Sequence, residues 1–355
     1  MGSIVLYKDR DGKVYQIDEP VTSKVDLGFV AQELGLPSYI DLKYPTVERG
    51  IVSIWASINA QRLFGEAAKK KGINGPLVPL LLGGVAVKMV SPSANRPLSP
   101  LNRNVGDIDF VVPKKMGDKL VFVLSNLSNV AGTRYHYFLT HSDTMFNALR
   151  AGTRYRIRAL DRFIDSQPVI KSTDILVEKL EMRHVVKFDD RDFQAARSNF
   201  YTVGLEKLII SKAQVITDVE KKDESRLIEA DQSFRFLEYP YYNANRLIIG
   251  MEEKDILDLC AVLLDRFEPT DVGPNIRPDK FSEMLKDDEK FRLTVKLNLE
   301  NVIRQSDWLR SKGLGASEVA KIEEAASVLL RSLGTVNKKW SKPWWNTDVE
   351  TPVIV

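Results

Sequence analysis

The sequence predicts an α+β protein with an αβ segment up to about residue 200 and an all-helical segment after it. Three observations carry this. Short apolar runs that end at turn residues alternate with amphipathic stretches in the first part. Six successive helical patterns fill the second part. The 355 residues exceed what one hydrophobic core comfortably serves, which points to two domains.

Residues 4–18 alternate apolar and polar side chains around Asp11-Gly12 and read as a small N-terminal β-hairpin. Pro20, Pro37 and Pro45 break the stretch that follows. Thr46 then starts one long helical pattern from Val47 to about Lys71. Leu77–Leu82 reads as a buried strand, Gly83-Gly84 as a tight turn, and Val85–Val90 as a helix. Residues 91–106 are a Pro-, Ser- and Asn-rich loop. Asp107–Val112 is a strand and Lys114–Val130 is helical. Residues 134–139 and 153–160 are strands with a short helix between them, and Val169–Phe188 is one long bent strand or a hairpin. After a loop near 189–203, helices are expected at Leu205–Thr217, Ser225–Leu237, Glu252–Phe267, Pro278–Lys286, Asp287–Leu309 and Ser317–Leu333. The domains follow: an extension at 1–45, a core at 46–200 and a helical domain at 201–355.

Composition excludes several classes. With 44% hydrophobic and 28% charged residues the chain has a globular profile. No apolar run approaches the ~20 residues of a membrane span. Charges in the first thirteen residues argue against a signal peptide, so a cytoplasmic location is expected. Cys260 is the single cysteine, which excludes an intrachain disulfide and a thiolate zinc cage. With three histidines, a divalent metal would be held by carboxylate oxygen, which favours magnesium or manganese. A net charge of +3 is too even to argue for nucleic acid.

The chemistry concentrates at Gly83-Gly84 and Asp107-Ile108-Asp109. Residues two apart on a strand share a face, so Asp107 and Asp109 project together while Ile108, Phe110 and Val112 point into a core. Adjacent carboxylates repel, and a divalent cation relieves the conflict. An isolated pair of this kind is more often a solvated strand end. The glycines change the balance, because a strand, two glycines and a helix N-terminus make a corner of backbone N–H groups suited to a triphosphate. The P-loop pattern is absent. Asp174, within an apolar run, is the preferred third carboxylate over Glu178, with an exposed edge acid an equal alternative. Arg154, Arg156 and Arg158 share one strand face, extended by Arg150 and Arg162. They suit phosphates or, equally, ion pairs with Asp161, Asp165 and other acids. Lys212 lies on or beside an apolar helical stripe, where lysines usually snorkel to water. Asp255 and Asp258, three apart, read as a solvated face. The C-terminal tryptophans, Trp340, Trp344 and Trp345, are expected to cap a core rather than stack bases.

Leu82–Lys88, Gly106–Val112 and Thr173–His184 together resemble the nucleotidyltransferase superfamily, with its polymerase-β-like fold. More narrowly they resemble prokaryotic nucleotidyltransferase-like proteins related to abortive-infection type IV toxins. Leu205–Val215 and Lys254–Leu259 are looser matches, and the resemblance spans about residues 75–270. It implies a mixed sheet with flanking helices, followed by a helical domain, with the site in a cleft. It also implies transfer of a nucleoside monophosphate from an NTP to an acceptor hydroxyl, RNA or protein among the candidates, with release of pyrophosphate. Asp107, Asp109 and Asp174 would bind Mg2+ or Mn2+, Gly83 and Gly84 would cradle phosphates, Lys212 would balance their charge, and Asp255 would orient Lys212 or the substrate. Gly84 stands where many active members have serine, and the gap to Asp107 is long. Those departures favour the alternative of a non-catalytic nucleotide- or RNA-binding module; a toxin–antitoxin component is a third reading.

Overall fold

The structure is a computed structural model that describes residues 4–8, 12–18, 23–164, 167–223, 225–226, 235–268 and 273–348. The chain divides into two compact units. The first comprises Met1–Met89, Asn104–Lys179 and Lys187–Val203; the second comprises Val90–Arg103, Leu180–Val186 and Gly204–Val355. Among the described residues no helix is long and apolar enough to cross a membrane.

The first unit opens with the expected hairpin. Strands β1 (Ile4–Lys8) and β2 (Val14–Asp18) pair antiparallel, with Ile4 opposite Asp18. Asp11 of the expected turn lies outside the described residues, and Gly12 has a φ of +80°. Helix α1 (Leu27–Leu34) is capped by Asp26, whose carboxylate accepts the Gly28 and Phe29 N–H groups at 2.9 and 3.2 Å. Helix α2 (Pro45–Ile58) starts on proline at its first turn and is buried along nearly its whole length. The single helix expected over 47–71 is two: Asn59 ends α2, and α3 (Ala60–Lys70) is itself kinked where Gly65 takes a φ of +51°. Likewise the expected helix 114–130 divides into α5 (Gly117–Ser125) and α6 (Leu127–Ala131) at Asn126, whose side-chain amide donates back to the Phe122 carbonyl at 2.8 Å.

Five strands make the central mixed sheet, in the order β3 (Leu80–Leu82), β4 (Ile108–Val112), β7 (Gln167–Val177), β6 (Arg154–Ile164), β5 (Tyr137–Phe138). Only the β4–β7 pair is parallel. Helix α4 (Gly83–Val90) leaves directly from β3, and α7 (His141–Leu149) joins β5 to β6. The outer edge of β3 is not bare: Leu81 N–H donates to the Tyr201 carbonyl at 2.7 Å, and Val203 N–H donates back to Leu81 at 3.0 Å. In β4, Ile108, Phe110, Val111 and Val112 are fully buried, each contributing about 1.5–3 kcal/mol. Asp109 is the one polar residue of that strand. The run Val169–Phe188 breaks at Glu178, where φ is +58°. Two short strands follow it, β8 (Lys179–Glu181) and β9 (Val185–Lys187), and then α8 (Asp190–Gln194).

The second unit is mainly helical but not all-helical. Its helices are α9 (Leu205–Ala213), α10 (Glu253–Arg266), α11 (Pro278–Leu285), α12 (Glu289–Arg304), α13 (Ser306–Ser311) and α14 (Ala316–Leu333). A small antiparallel sheet interrupts them, ordered β10 (Thr217–Glu220), β12 (Arg246–Ile249), β11 (Phe236–Leu237). The helix expected over 205–217 therefore stops at Ala213. The one expected over 225–237 ends in a strand, and its residues 227–234 lie outside the described residues. The tryptophans cap a core as anticipated: Trp344 and Trp345 are buried with Ile216, Leu237, Ile248, Leu293 and Leu297, and Trp340 packs against them.

Candidate functional site

One row of residues crosses the central sheet. Leu82 on β3 is the register partner of Asp109 on β4, Asp109 of Asp174 on β7, and Asp174 of Arg156 on β6. Register partners project to the same face, so Asp109, Asp174 and Arg156 stand side by side, with Arg154 and Arg158 at alternate positions beyond. The alternation also sends Ile108, Phe110 and Val112 into the core, as expected. Asp107 sits just before β4 and is exposed; Asp109 is half-buried.

Gly83 lies against this row. Its φ is +69°, which favours glycine, and a Cβ built there would stand 2.6 Å from Asp109 Oδ2. The glycine therefore creates the space that the Asp109 carboxylate fills. With Gly84 it opens α4, so backbone N–H groups at a helix start lie beside a carboxylate. The sequence brought Gly83 and Asp109 together only by analogy; the contact itself comes from the antiparallel β3–β4 pairing.

Asp174 turns toward β6. Arg154 Nη2 donates to its Oδ2 at 2.9 Å and Arg156 Nε to its Oδ1 at 3.0 Å. The Phe146 ring lies 5.7 Å from the Arg154 guanidinium carbon and 4.7 Å from that of Arg156. Arg158 binds both oxygens of buried Asp143 at 3.1 and 3.0 Å and the Ser172 hydroxyl at 2.7 Å. The arginine stripe is thus ion-paired, but with Asp174 and Asp143. Asp161 instead faces buried Arg49 at 3.6 Å, and Asp165 lies outside the described residues. Arg150 is exposed at the end of α7. Glu178 is exposed, beyond the end of β7.

Lys212 and Asp255 belong to the second unit, where they meet. Lys212 Nζ is 2.9 Å from Asp255 Oδ1 and 2.8 Å from Asp258 Oδ2. Arg103 grips Asp258 bidentately, Nε to Oδ1 at 2.7 Å and Nη2 to Oδ2 at 2.5 Å. Asp255 and Asp258 are buried, not a solvated face. Lys212 does not snorkel; its side chain is 12% exposed. Burial works to lower the Lys212 pKa, but the charges of Asp255 and Asp258 override it and hold the ammonium above its ordinary range. Burial likewise opposes ionisation of Asp258, and Lys212 with Arg103 still pulls its carboxyl below the ordinary value. Arg103 sits in a loop without periodicity, so nothing in the sequence flagged it.

The donor types at Asp107 and Asp109 suit an oxygen-liganding divalent cation, and the space left by Gly83 accommodates one of the two carboxylates. Asp174 does not fit that role in this arrangement, because guanidinium groups hold both its oxygens. Among the described residues no group of three or more His, Cys, Asp or Glu side chains is gathered so as to hold a metal ion.

No family model matches the chain, and no curated protein matches it. Solved structures that align with it include two from Helicobacter pylori. One is JHP933 from Helicobacter pylori, 13% identical with a TM-score of 0.33, over 84% of this chain and 94% of that one. The other, described as a "putative nucleotidyltransferase from H. pylori", is 13% identical with a TM-score of 0.29, over 78% of this chain and 96% of that one.

Proposed function

We propose that the chain is a metal-dependent nucleotidyltransferase that moves a nucleoside monophosphate from an NTP to an acceptor hydroxyl. The observation that carries this reading is the close approach of Gly83 and Asp109, which sets the start of α4 beside a carboxylate. Magnesium or manganese held by Asp107 and Asp109 would supply Lewis-acid stabilisation of charge on the phosphate oxygens. Two carboxylates plus substrate phosphates satisfy such an ion, so the reading does not require Asp174 as a ligand. The N–H groups of Gly83 and Gly84 bind the terminal phosphates, where the start of α4 favours negative charge. Asp109 is oriented by its seat against Gly83. In the transfer the acceptor hydroxyl gives up its proton to solvent and its oxygen bonds to the α-phosphorus, the bond from the α-phosphorus to the α–β bridging oxygen breaks, and pyrophosphate departs with that oxygen. Lys212 is assigned no part, because Asp255 and Asp258 already balance its charge.

The test is transfer from labelled NTPs in the presence of magnesium. Asp107→Asn and Asp109→Asn are each expected to lower the rate by about 10²–10³-fold, the loss typical of one pre-organised electrostatic group. Equal labelling by wild type and both variants overturns the proposal. Metal-dependent NTP binding in calorimetry without any transfer assigns the chain to a non-catalytic binding module instead. A toxin role would show as growth arrest on expression that Asp109→Asn relieves.

A further inference from the structure

We propose that Arg154 and Arg156 form a phosphate-binding site that Asp174 fills as a tethered stand-in. The proposal does not depend on nucleotidyl transfer; it concerns what the guanidinium pair is built to hold.

Four observations carry it. Two guanidinium groups converge on one carboxylate, that of Asp174. Arg154 Nε is buried and donates to no acceptor, although its Nη2 is paired, so the cluster has a donor left over. A carboxylate offers two oxygens and one charge; a phosphate offers a third oxygen and more charge, and it matches the planar fork of arginine. The Phe146 ring lies 5.7 and 4.7 Å from the two guanidinium carbons, a contact with both that does not involve Asp174.

The arrangement is also exchangeable. The side chains are 37% exposed at Arg154, 25% at Arg156 and 15% at Asp174, so water screens the pairs and their net worth is small. Asp109 is the register partner of Asp174 on the other side, so a second carboxylate borders the pair. A phosphate arriving at the arginines displaces Asp174, and Asp174 competes with it by being attached. Arg158 does not join this exchange, because buried Asp143 holds it.

The test is binding of inorganic pyrophosphate without divalent metal, followed by calorimetry. Removing the stand-in with Asp174→Asn is expected to tighten binding about tenfold, a difference of about 1.4 kcal/mol. Arg156→Gln, alone and combined with Asp174→Asn, is expected to weaken binding by at least about tenfold relative to its parent, in line with loss of a charge-assisted contact. A second substitution, Arg154→Gln, repeats the measurement from the neighbouring position, and thermal melts identify folded variants. Unchanged or weaker binding by folded Asp174→Asn overturns the proposal, as does binding indifferent to both arginine variants, which is the result for pyrophosphate held only at the start of α4. Displacement of the bound pyrophosphate by ATP assigns the site to a nucleotide, and displacement by a short single-stranded RNA assigns it to an acceptor. Binding is measured without divalent metal, where the proposed transfer does not run, which separates the outcome from that of the transfer assay.

Discussion

The cluster around Asp174 in the first unit and the cluster around Asp258 in the second are made of the same parts. Each gathers two cationic side chains on an aspartate: Arg154 and Arg156 on one, Arg103 and Lys212 on the other. They differ in burial and in balance. Asp258 is 3% exposed, and Asp255 supplies the second negative charge, so two cations meet two anions. Asp174 is more open, and its two arginines face one carboxylate. Burial with matched charge makes a fixed strut, because removing any member strands a desolvated ion. Partial exposure with a donor left over at Arg154 Nε makes a socket, because a better anion can replace the one present.

The largest expected effect tests the strut. Asp258→Ala leaves the largely shielded Lys212 and Arg103, 12% and 17% exposed, against an incomplete set of carboxylates and is expected to cost about 3–5 kcal/mol in urea denaturation. If Asp174→Asn costs as much, the contrast between the clusters fails.

Acid gives the next largest effect, also in the second unit. His184 is stacked on Phe291 at 4.4 Å, and its Nε2 is 2.8 Å from the Thr294 hydroxyl. Burial pushes its pKa down from 6.5 to about 4. The native state thus favours the neutral ring while the unfolded chain protonates near 6.5, so the contribution is complete above pH 6.5 and is lost as pH falls toward 4. The loss amounts to about 3 kcal/mol at 1.36 kcal/mol per pH unit. The unfolding free energy of wild type from urea denaturation should fall by that amount relative to that of His184→Phe as the pH drops from 6.5 to 4. Lys212 and Asp258 shift away from this window in opposite directions. Lys212 is raised above 10.5, so its contribution is full below that pH and lost above it. Asp258 is depressed below 3.8, so its contribution is full above that pH and lost in stronger acid.

Gly83→Ala puts a Cβ against Asp109 at a φ suited to glycine, with an expected cost of about 1–3 kcal/mol in thermal or urea melts. Smallest of all is Asp174→Asn, expected to change stability by less than about 1 kcal/mol, as for other screened ion pairs. A small stability change together with tighter pyrophosphate binding is the signature that separates socket from strut.

Much of the first unit was legible because its signals are local. Period-two alternation put Asp109 opposite Ile108 and Phe110, and Gly83-Gly84 marked the strand-to-helix turn. What stayed hidden depends on which strands become neighbours. Arg154 and Arg156 were seen to share a face, but only the antiparallel β6–β7 pairing sets Arg156 opposite Asp174. In the second unit, Asp255 and Asp258 lie three apart on a helix, which the sequence alone renders as a wet surface. Their burial follows from Lys212 and from Arg103, whose position in a Pro- and Asn-rich loop carries no pattern. The strands β10 to β12 escaped because two to four residues, some of them charged, give no measurable alternation.

The path of the chain has a genetic consequence. Met89 ends a stretch of the first unit, Val90–Arg103 is counted with the second, and Asn104 begins the first again. Ser93 binds Asp265 through both its N–H and its hydroxyl, at 2.8 and 2.6 Å, and Arg266 donates to the Val90 carbonyl. A recombination event that swapped everything after Val203 would carry Asp258 and Asp265 away while leaving Arg103 and Ser93 behind. The halves are therefore poor modules for shuffling, and lineages of this protein should inherit them as one indivisible reading frame.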